Sequence, residues 1–285
     1  AWSSIEMIEA MYEGQLAAAA AVRGALNAIA RAVDDAVPAL QRGGRIIYAG
    51  AGTSGRIGVQ DGTELTPTYD WPSERLVFCM AGGAGALMQS VEGAEDDESA
   101  GARAVGDMAV GPNDVVIGIA ASGETPYTIG VLRAARAAGA VTIAIANNRD
   151  APLFEAATHR ILTETGAETI AGSTRMKAGT AQKIVLNLFS TAVMVKLGRV
   201  YRGLMVHMQA RNAKLRRRAE GMVRHIAGCT PEEASRLVRE ADGDVKTAVL
   251  MGFGLDRATA IEALQRRAGN LRAAITDSVD AQNRT

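Results

Sequence analysis

Two hydrophobic periods alternate along most of this chain. Short runs of β-branched and apolar residues occur at Arg45–Gly50, Arg75–Met80, Asp114–Ala120, Val141–Ala146 and Arg160–Thr163. Each predicts a strand. Longer stretches between them repeat apolar residues near a 3.6 spacing and predict helices. The first helical stretch covers Ser4 to Val37 through Ile5, Ile8, Leu16, Val22, Leu26, Ile29 and Val33. It reads as two helices broken near Glu13-Gly14, with Pro38 interrupting the pattern and Gly43-Gly44 turning the chain. Strand and helix then alternate, which predicts a doubly wound α/β fold with five parallel strands. Asp114–Ala120 is the most apolar strand and is expected at its centre. Pro67 is expected to end the helix after the first strand by about Thr66. Val91–Glu98 is expected to open an acidic helix. A long helix carries Met176, Ile184, Leu188 and Val195. After Leu204 the pattern shifts to short polar helices. Lys214-Leu215-Arg216-Arg217-Arg218 is a basic helical run, read as a solvated face. Thr230-Pro231-Glu232-Glu233 is a helix start with proline at its first position, Asp242-Gly243-Asp244 is a turn, and Asp256 caps a further helix. The expected division is residues 1–210 and 211–285.

Three turns concentrate the chemistry. Gly50-Ala51-Gly52-Thr53-Ser54-Gly55-Arg56 leads from the first strand into a helix. Ala121-Ser122-Gly123-Glu124-Thr125-Pro126 does the same after the third. Helix N-termini offer unpaired N–H groups and the positive dipole end, and hydroxyls add donors, so such turns suit phosphate. Turns leaving one parallel sheet converge at the carboxyl ends of its strands. The first turn also fits G-x-G-x-x-G, but a dinucleotide site wants an acidic residue after the next strand, and Arg75–Met80 ends without one. Sugar phosphate is therefore preferred. A tight turn without a ligand is the plainer alternative, which does not call for Ser54 between its glycines. The third stretch, Gly172-Ser173-Thr174-Arg175-Met176-Lys177, places hydroxyls and cations before the long helix. An ordinary N-cap with solvated cations is its plainer reading.

Gly166-Ala167-Glu168-Thr169-Ile170-Ala171, continued through Gly172 to Lys183, resembles the signature shared by N-acetylmuramic acid 6-phosphate etherases and glucokinase regulatory proteins. Both groups belong to the sugar-isomerase (SIS) superfamily, and the resemblance extends from about Ser3 to Asp277. It implies an SIS-type sheet followed by a C-terminal three-helix bundle of the ubiquitin-associated type, with Met251-Gly252-Phe253 as its loop. It implies a lyase that cleaves the D-lactyl ether of N-acetylmuramic acid 6-phosphate, giving N-acetylglucosamine 6-phosphate and D-lactate. The family's catalytic glutamates fall on Glu64, in Asp61-Gly62-Thr63-Glu64, and on Glu95, in Glu92-Gly93-Ala94-Glu95. Substrate binding falls on Thr53, Ser54, Gly55, Arg56, Ser122, Gly123, Ser173, Thr174 and Lys177. Glu124 stands where the family commonly has arginine, so it points away from phosphate or the substrate differs. Leu65-Thr66-Pro67 and Ala146-Asn147 also depart from the family's usual residues. A homodimer is implied as well, to cover more apolar helix face than one sheet can. The family carries a further upstream segment, and the start at Ala1 without methionine is read as processed or trimmed.

Composition narrows the alternatives. Lys+Arg and Asp+Glu are equal at 31 each and aromatics are 4%, so nothing favours nucleic acid or a charged membrane surface. No apolar run is expected to span a membrane, and Glu6, Glu9 and Glu13 argue against a signal peptide. Cys79 and Cys229 read as core residues in a reducing, cytoplasmic setting. His159, His207 and His225 form no metal-ligand pattern, and no cofactor is called for. Two other functions share the turns. An aldose–ketose isomerase would remove the same C2 proton and return it to C1, without releasing lactate. A non-catalytic regulator of the glucokinase-regulator type would carry two SIS domains, and one set of turns is present.

Overall fold

The computed structural model describes residues 2–89, 91–208 and 212–282. Two compact units result. One runs from the N-terminus to Glu64 and from Pro72 to Ala192; the other holds Leu65–Trp71 and the chain from Val193 onward. The expected boundary at 210/211 lies outside the described residues.

The first unit is a five-stranded parallel sheet of β1 (Ile46–Gly50), β2 (Leu76–Met80), β3 (Val115–Ile119), β4 (Val141–Ala146) and β5 (His159–Leu162), in the order β2-β1-β3-β4-β5. β3 is central, and every residue of β1 and β3 is buried. The order turns back between β1 and β3, so the switch point lies at their carboxyl ends. Gly50 pairs with Ile119, which brings the two following turns out side by side.

The leading helices correct three expectations. α1 (Ser4–Ala21) and α2 (Leu26–Gln41) are joined by a 3₁₀ turn at Val22–Ala25, not broken at Gly14. Gly14 lies within α1, and a Cβ there would make only ordinary contact with Lys177 Cδ at 3.4 Å. Pro38 sits inside α2 rather than interrupting it. It falls in the last turn, where one lost backbone bond matters least. α2 buries Ile29, Val33, Ala36 and Leu40. The stretch Ser4–Gln41 is, against expectation, long and apolar enough by length and composition to cross a membrane. Its alanines raise the hydropathy, while α2 uses its apolar face within the fold.

Further boundaries shift for local reasons. α3 (Gly52–Thr63) ends before Pro67, which lies within α4 (Leu65–Tyr69). There it is a first-turn residue, whose N–H a helix does not use. α5 (Glu98–Asp107) begins after Asp97, whose side chain accepts the Ala100 N–H at 2.8 Å. Val91 therefore does not open it. Ala94–Asp96 is a single 3₁₀ turn behind Gly93, at φ 71°. Glu92 and Glu95 consequently do not share a helix face. α6 (Pro126–Ala137) starts on Pro126 as expected, and α7 spans Lys177–Lys196.

The C-terminal bundle contains α8 (Ala213–Ala227), α9 (Pro231–Glu240), α10 (Val245–Gly252), α11 (Arg257–Arg266) and α12 (Leu271–Gln282). The three expected short helices are α9 to α11, and α8 and α12 bring the described helices to five. Met222, Val223, Leu237, Val249 and Leu271 form its core. Thr230, Asp244 and Asp256 each cap a helix. Lys246 is buried and donates to Gly269 O. Burial, with the charges of Lys246 and Arg199 nearby, pushes His207 down to about 3 from an ordinary 6.5.

That depression has a pH signature. The neutral imidazole favours the fold fully above about 6.5, and the contribution is lost as pH falls towards 3. Each unit of displacement corresponds to about 1.4 kcal/mol. The melting temperature should therefore fall more steeply from pH 7 to pH 4.5 in the wild type than in His207→Gln, as read by circular dichroism. Equal slopes would contradict the account.

Candidate active site

The first turn is built by backbone contact. A Cβ at Gly50 would lie 2.9 Å from Gly55 N, and one at Gly55 would lie 2.9 Å from Gly50 O. Two glycines thus let α3 start directly against the end of β1. Its N-cap, Ala51, provides no side-chain hydrogen bond, so the first N–H groups of α3 keep their capacity for an anion. Ser54 is buried and Thr53 half-buried beside them. At the end of β3, Ser122 is exposed and accepts the Glu124 N–H at 3.2 Å. Its own O–H can still donate. Gly123, at φ 75°, leaves room for Ala151 Cβ, 2.2 Å from where its own Cβ would be. Glu124 is exposed.

The signature joins this site, with one change. Gly179 packs over α3, its Cβ position 3.2 Å from Ile57 Cδ1 and 3.7 Å from Thr53 Cγ2. Ser173 and Thr174 lie just before α7, and Thr174 O is 3.6 Å from the same Cβ position. The N-terminus of α7, however, is already occupied. Glu168 accepts the N–H groups of Lys177 (3.0 Å) and Ala178 (3.1 Å). Lys177 Nζ donates to Ala167 O at 2.9 Å, so its charge is turned back on the loop.

A cleft of about 230 Å³ opens beside α3, lined by Gly52, Arg56, Ala86, Glu92 and Glu95 among others. Arg56 donates from Nε and Nη2 to Ala86 O, and from Nε to Leu87 O, and so holds the cleft wall. Glu92 and Glu95 both line this cleft. Glu64 does not line it. It is the C-cap of α3, exposed, at the far end of twelve helical residues. That length corresponds to about 18 Å.

Several site-supporting residues escape sequence reasoning. Asp61, three residues before Glu64, is buried and accepts from Tyr48 Oη (2.8 Å), Asn187 Nδ2 (2.6 Å) and Ser190 Oγ (3.2 Å). Burial pushes its carboxyl up, and these three hydrogen bonds offset part of the shift. Asn147 donates to Thr163 and accepts from Gln182, tying β4 and β5 to α7. Glu168 reads locally as one more exposed acid. Polar residues at apolar helix spacings, as at Asp61 and Gln182, were the available signal. Among the described residues, no cluster of three His, Cys, Asp or Glu side chains could hold a metal ion.

A parallel sheet whose switch point gathers serine-bearing turns and an uncapped helix N-terminus defines a sugar-phosphate-binding SIS domain. Residues 28–136 match the family model of the glucokinase regulatory protein N-terminal SIS domain, and residues 98–192 match the SIS domain. The fold resembles a phosphoheptose isomerase from Francisella tularensis (TM-score 0.50, 16% identity, 68% of this chain and 100% of that one). It also resembles a Bacteroides fragilis protein described as a phosphosugar isomerase involved in capsule formation (TM-score 0.52, 22% identity, 69% and 94%). At these identities the likeness is one of fold. Sequence similarity is far closer to N-acetylmuramic acid 6-phosphate etherases. The Deinococcus radiodurans relative is 51% identical over 93% of this chain and 88% of its own. The Salmonella enteritidis relative is 49% identical over 95% and 91%, and that of Salmonella typhi 48% over 96% and 93%. The chain belongs to the N-acetylmuramic acid 6-phosphate etherase family.

If the serine turns hold phosphate, replacing Ser54 and Ser122 together by alanine weakens binding of N-acetylglucosamine 6-phosphate by about tenfold or more, at roughly 1 kcal/mol per lost hydrogen bond. Calorimetry on the folded double variant reads this directly. Unchanged affinity would remove the assignment.

Proposed function

We propose that this chain is a carbon–oxygen lyase that converts N-acetylmuramic acid 6-phosphate and water into N-acetylglucosamine 6-phosphate and D-lactate. The observation that carries the reading is Glu95 in a cleft bordered by the uncapped first turn of α3. In this reading phosphate sits on the α3 amides with Thr53, Ser54, Ser122, Ser173 and Thr174. The sugar then extends along the cleft towards Glu95.

The reaction needs two proton transfers. In the open-chain sugar the C1 aldehyde acidifies the C2 proton, and Glu95 accepts it. The C3–O bond breaks, and the lactate oxygen takes a proton from Glu64. Water then adds across the C2–C3 double bond, its hydroxyl to C3 and a proton to C2. No metal or redox partner enters this balance.

Glu64 serves this site from a second copy of the chain. The support is distance: its own α3 holds it about 18 Å from the amides at the other end of that helix. A homodimer also gives a use to apolar surface. Ile5, Ile8, Tyr12 and Leu16 form one exposed stripe on α1, and Leu188 and Val195 are exposed on α7. The free cysteines Cys79 and Cys229 suit a cytoplasmic setting.

The test separates the two glutamates. Glu64→Gln should lower lactate release at least about a hundredfold, the scale of general acid catalysis, while the C2 proton still exchanges with deuterium. Glu95→Gln should lose both release and exchange, and Glu92→Gln should keep both. Exchange lost in Glu64→Gln and kept in Glu95→Gln would reverse the roles. Full activity in both variants would sink the mechanism.

A further inference from the structure

The start of α7 is capped from a distance. The first N–H groups of a helix lack partners within it and are commonly met by the residue just before it. Here the acceptor lies nine residues upstream of Lys177. Glu168 spreads its two oxygens over the N–H groups of Lys177 and Ala178, at 3.0 and 3.1 Å. Lys177 Nζ closes the same loop on Ala167 O at 2.9 Å. Within the loop, Ser173 N–H donates to Ile170 O and Thr174 N–H to Gly172 O. Gly179 N–H reaches back to Thr174 O at 3.0 Å. The Ser173–Thr174 turn thus hangs between a carboxylate and the helix which that carboxylate caps.

Two physical consequences follow. A phosphate dianion is repelled from a seat already holding a carboxylate, so α7 does not lend these two amides to a substrate. The α3 amides, without a side-chain cap, remain for that purpose. Second, the packing of Gly179 near Thr53 fixes where the loop meets α3. The distance from Ser173 and Thr174 to an anion on α3 is then set by how Glu168 closes the loop.

We infer that Glu168 is a positioning residue: an internal anion that holds the Ser173–Thr174 turn in place for the substrate's phosphate. The inference rests on the proposed phosphate seat at α3. It predicts that removing the carboxylate leaves a vacancy which a small free carboxylate can refill.

The experiment compares full-length wild type, Glu168→Ala and Glu168→Gln, each checked for folding by its melting curve. Affinity for N-acetylglucosamine 6-phosphate is measured by calorimetry, with sodium formate or with sodium chloride at equal ionic strength. Hydrogen–deuterium exchange of residues 166–178 is followed under the same conditions. Glu168→Ala should bind at least about tenfold more weakly, the scale of a lost charge-assisted hydrogen bond. Formate should restore most of that affinity and slow the accelerated exchange, where chloride does neither. Glu168→Gln should stay weak with formate, because its amide fills the seat. Wild-type affinity in Glu168→Ala would overturn the inference. So would a loss that formate does not repair, which leaves Glu168 a fold contact only. If the wild type binds no sugar phosphate, the proposed function falls instead. Exchange in the 166–178 segment then still decides: a formate response upholds the internal anion, and none overturns it.

Discussion

The site depends on how closely one helix can lie against one strand. Gly50 and Gly55 meet backbone to backbone, at distances where no Cβ fits. That contact turns β1 into α3 without an intervening loop and leaves the α3 amides at the switch point of the sheet. The same device recurs one layer away. Cβ atoms at Gly101 and Gly130 would lie 2.1 Å from Tyr127 O and Glu98 O, so α5 presses directly on α6. The 3₁₀ turn bearing Glu95 precedes α5, with Ala94 packed on the core. Missing side chains thus set both the anion end and the carboxylate of the cleft.

Three helices start at this edge, and each treats its positive end differently. α3 leaves its first turn uncapped by side chains. α6 begins on Pro126, which has no N–H to offer. α7 is filled by Glu168. Of the three, the first turn of α3 is the proposed seat for a phosphate. The far end of α3 is fixed just as firmly, because Asp61 draws donors from β1 and from α7. Removing one partner from such a buried network leaves other groups unpaired, at about 1–3 kcal/mol each. α3 is therefore a rigid spacer between its first-turn amides and Glu64, and the proposed two-fold partner would reconcile the two ends.

Much of this was legible in the sequence. All five strands and the central place of β3 follow from short apolar runs, two of which lead into serine-bearing turns. The misplaced boundaries share a cause. Gly14, Pro38 and Pro67 read as breaks by local propensity, whereas α1 runs on through Gly14 and each proline takes a position in a terminal helical turn. Val91–Glu98 reads as the opening of one acidic helix, but Gly93 takes a positive φ and Asp97 caps α5. The long-range polar contacts were not legible. Nothing local marks Glu168 as the cap of a helix nine residues on, or Asp61 as the junction of three elements. Their partners are chosen by the fold.

The central claim is that a complete site takes Glu95 from one chain and Glu64 from another. Mixing and re-equilibrating Glu64→Gln with Glu95→Gln tests it most directly, because each is inactive alone. In a two-fold dimer with random exchange, lactate release should return to about a quarter of the wild-type level, since half the dimers are hybrids with one intact site. A mixture that forms hybrids, shown by native mass spectrometry, yet stays inactive would place both glutamates in one chain and contradict the account.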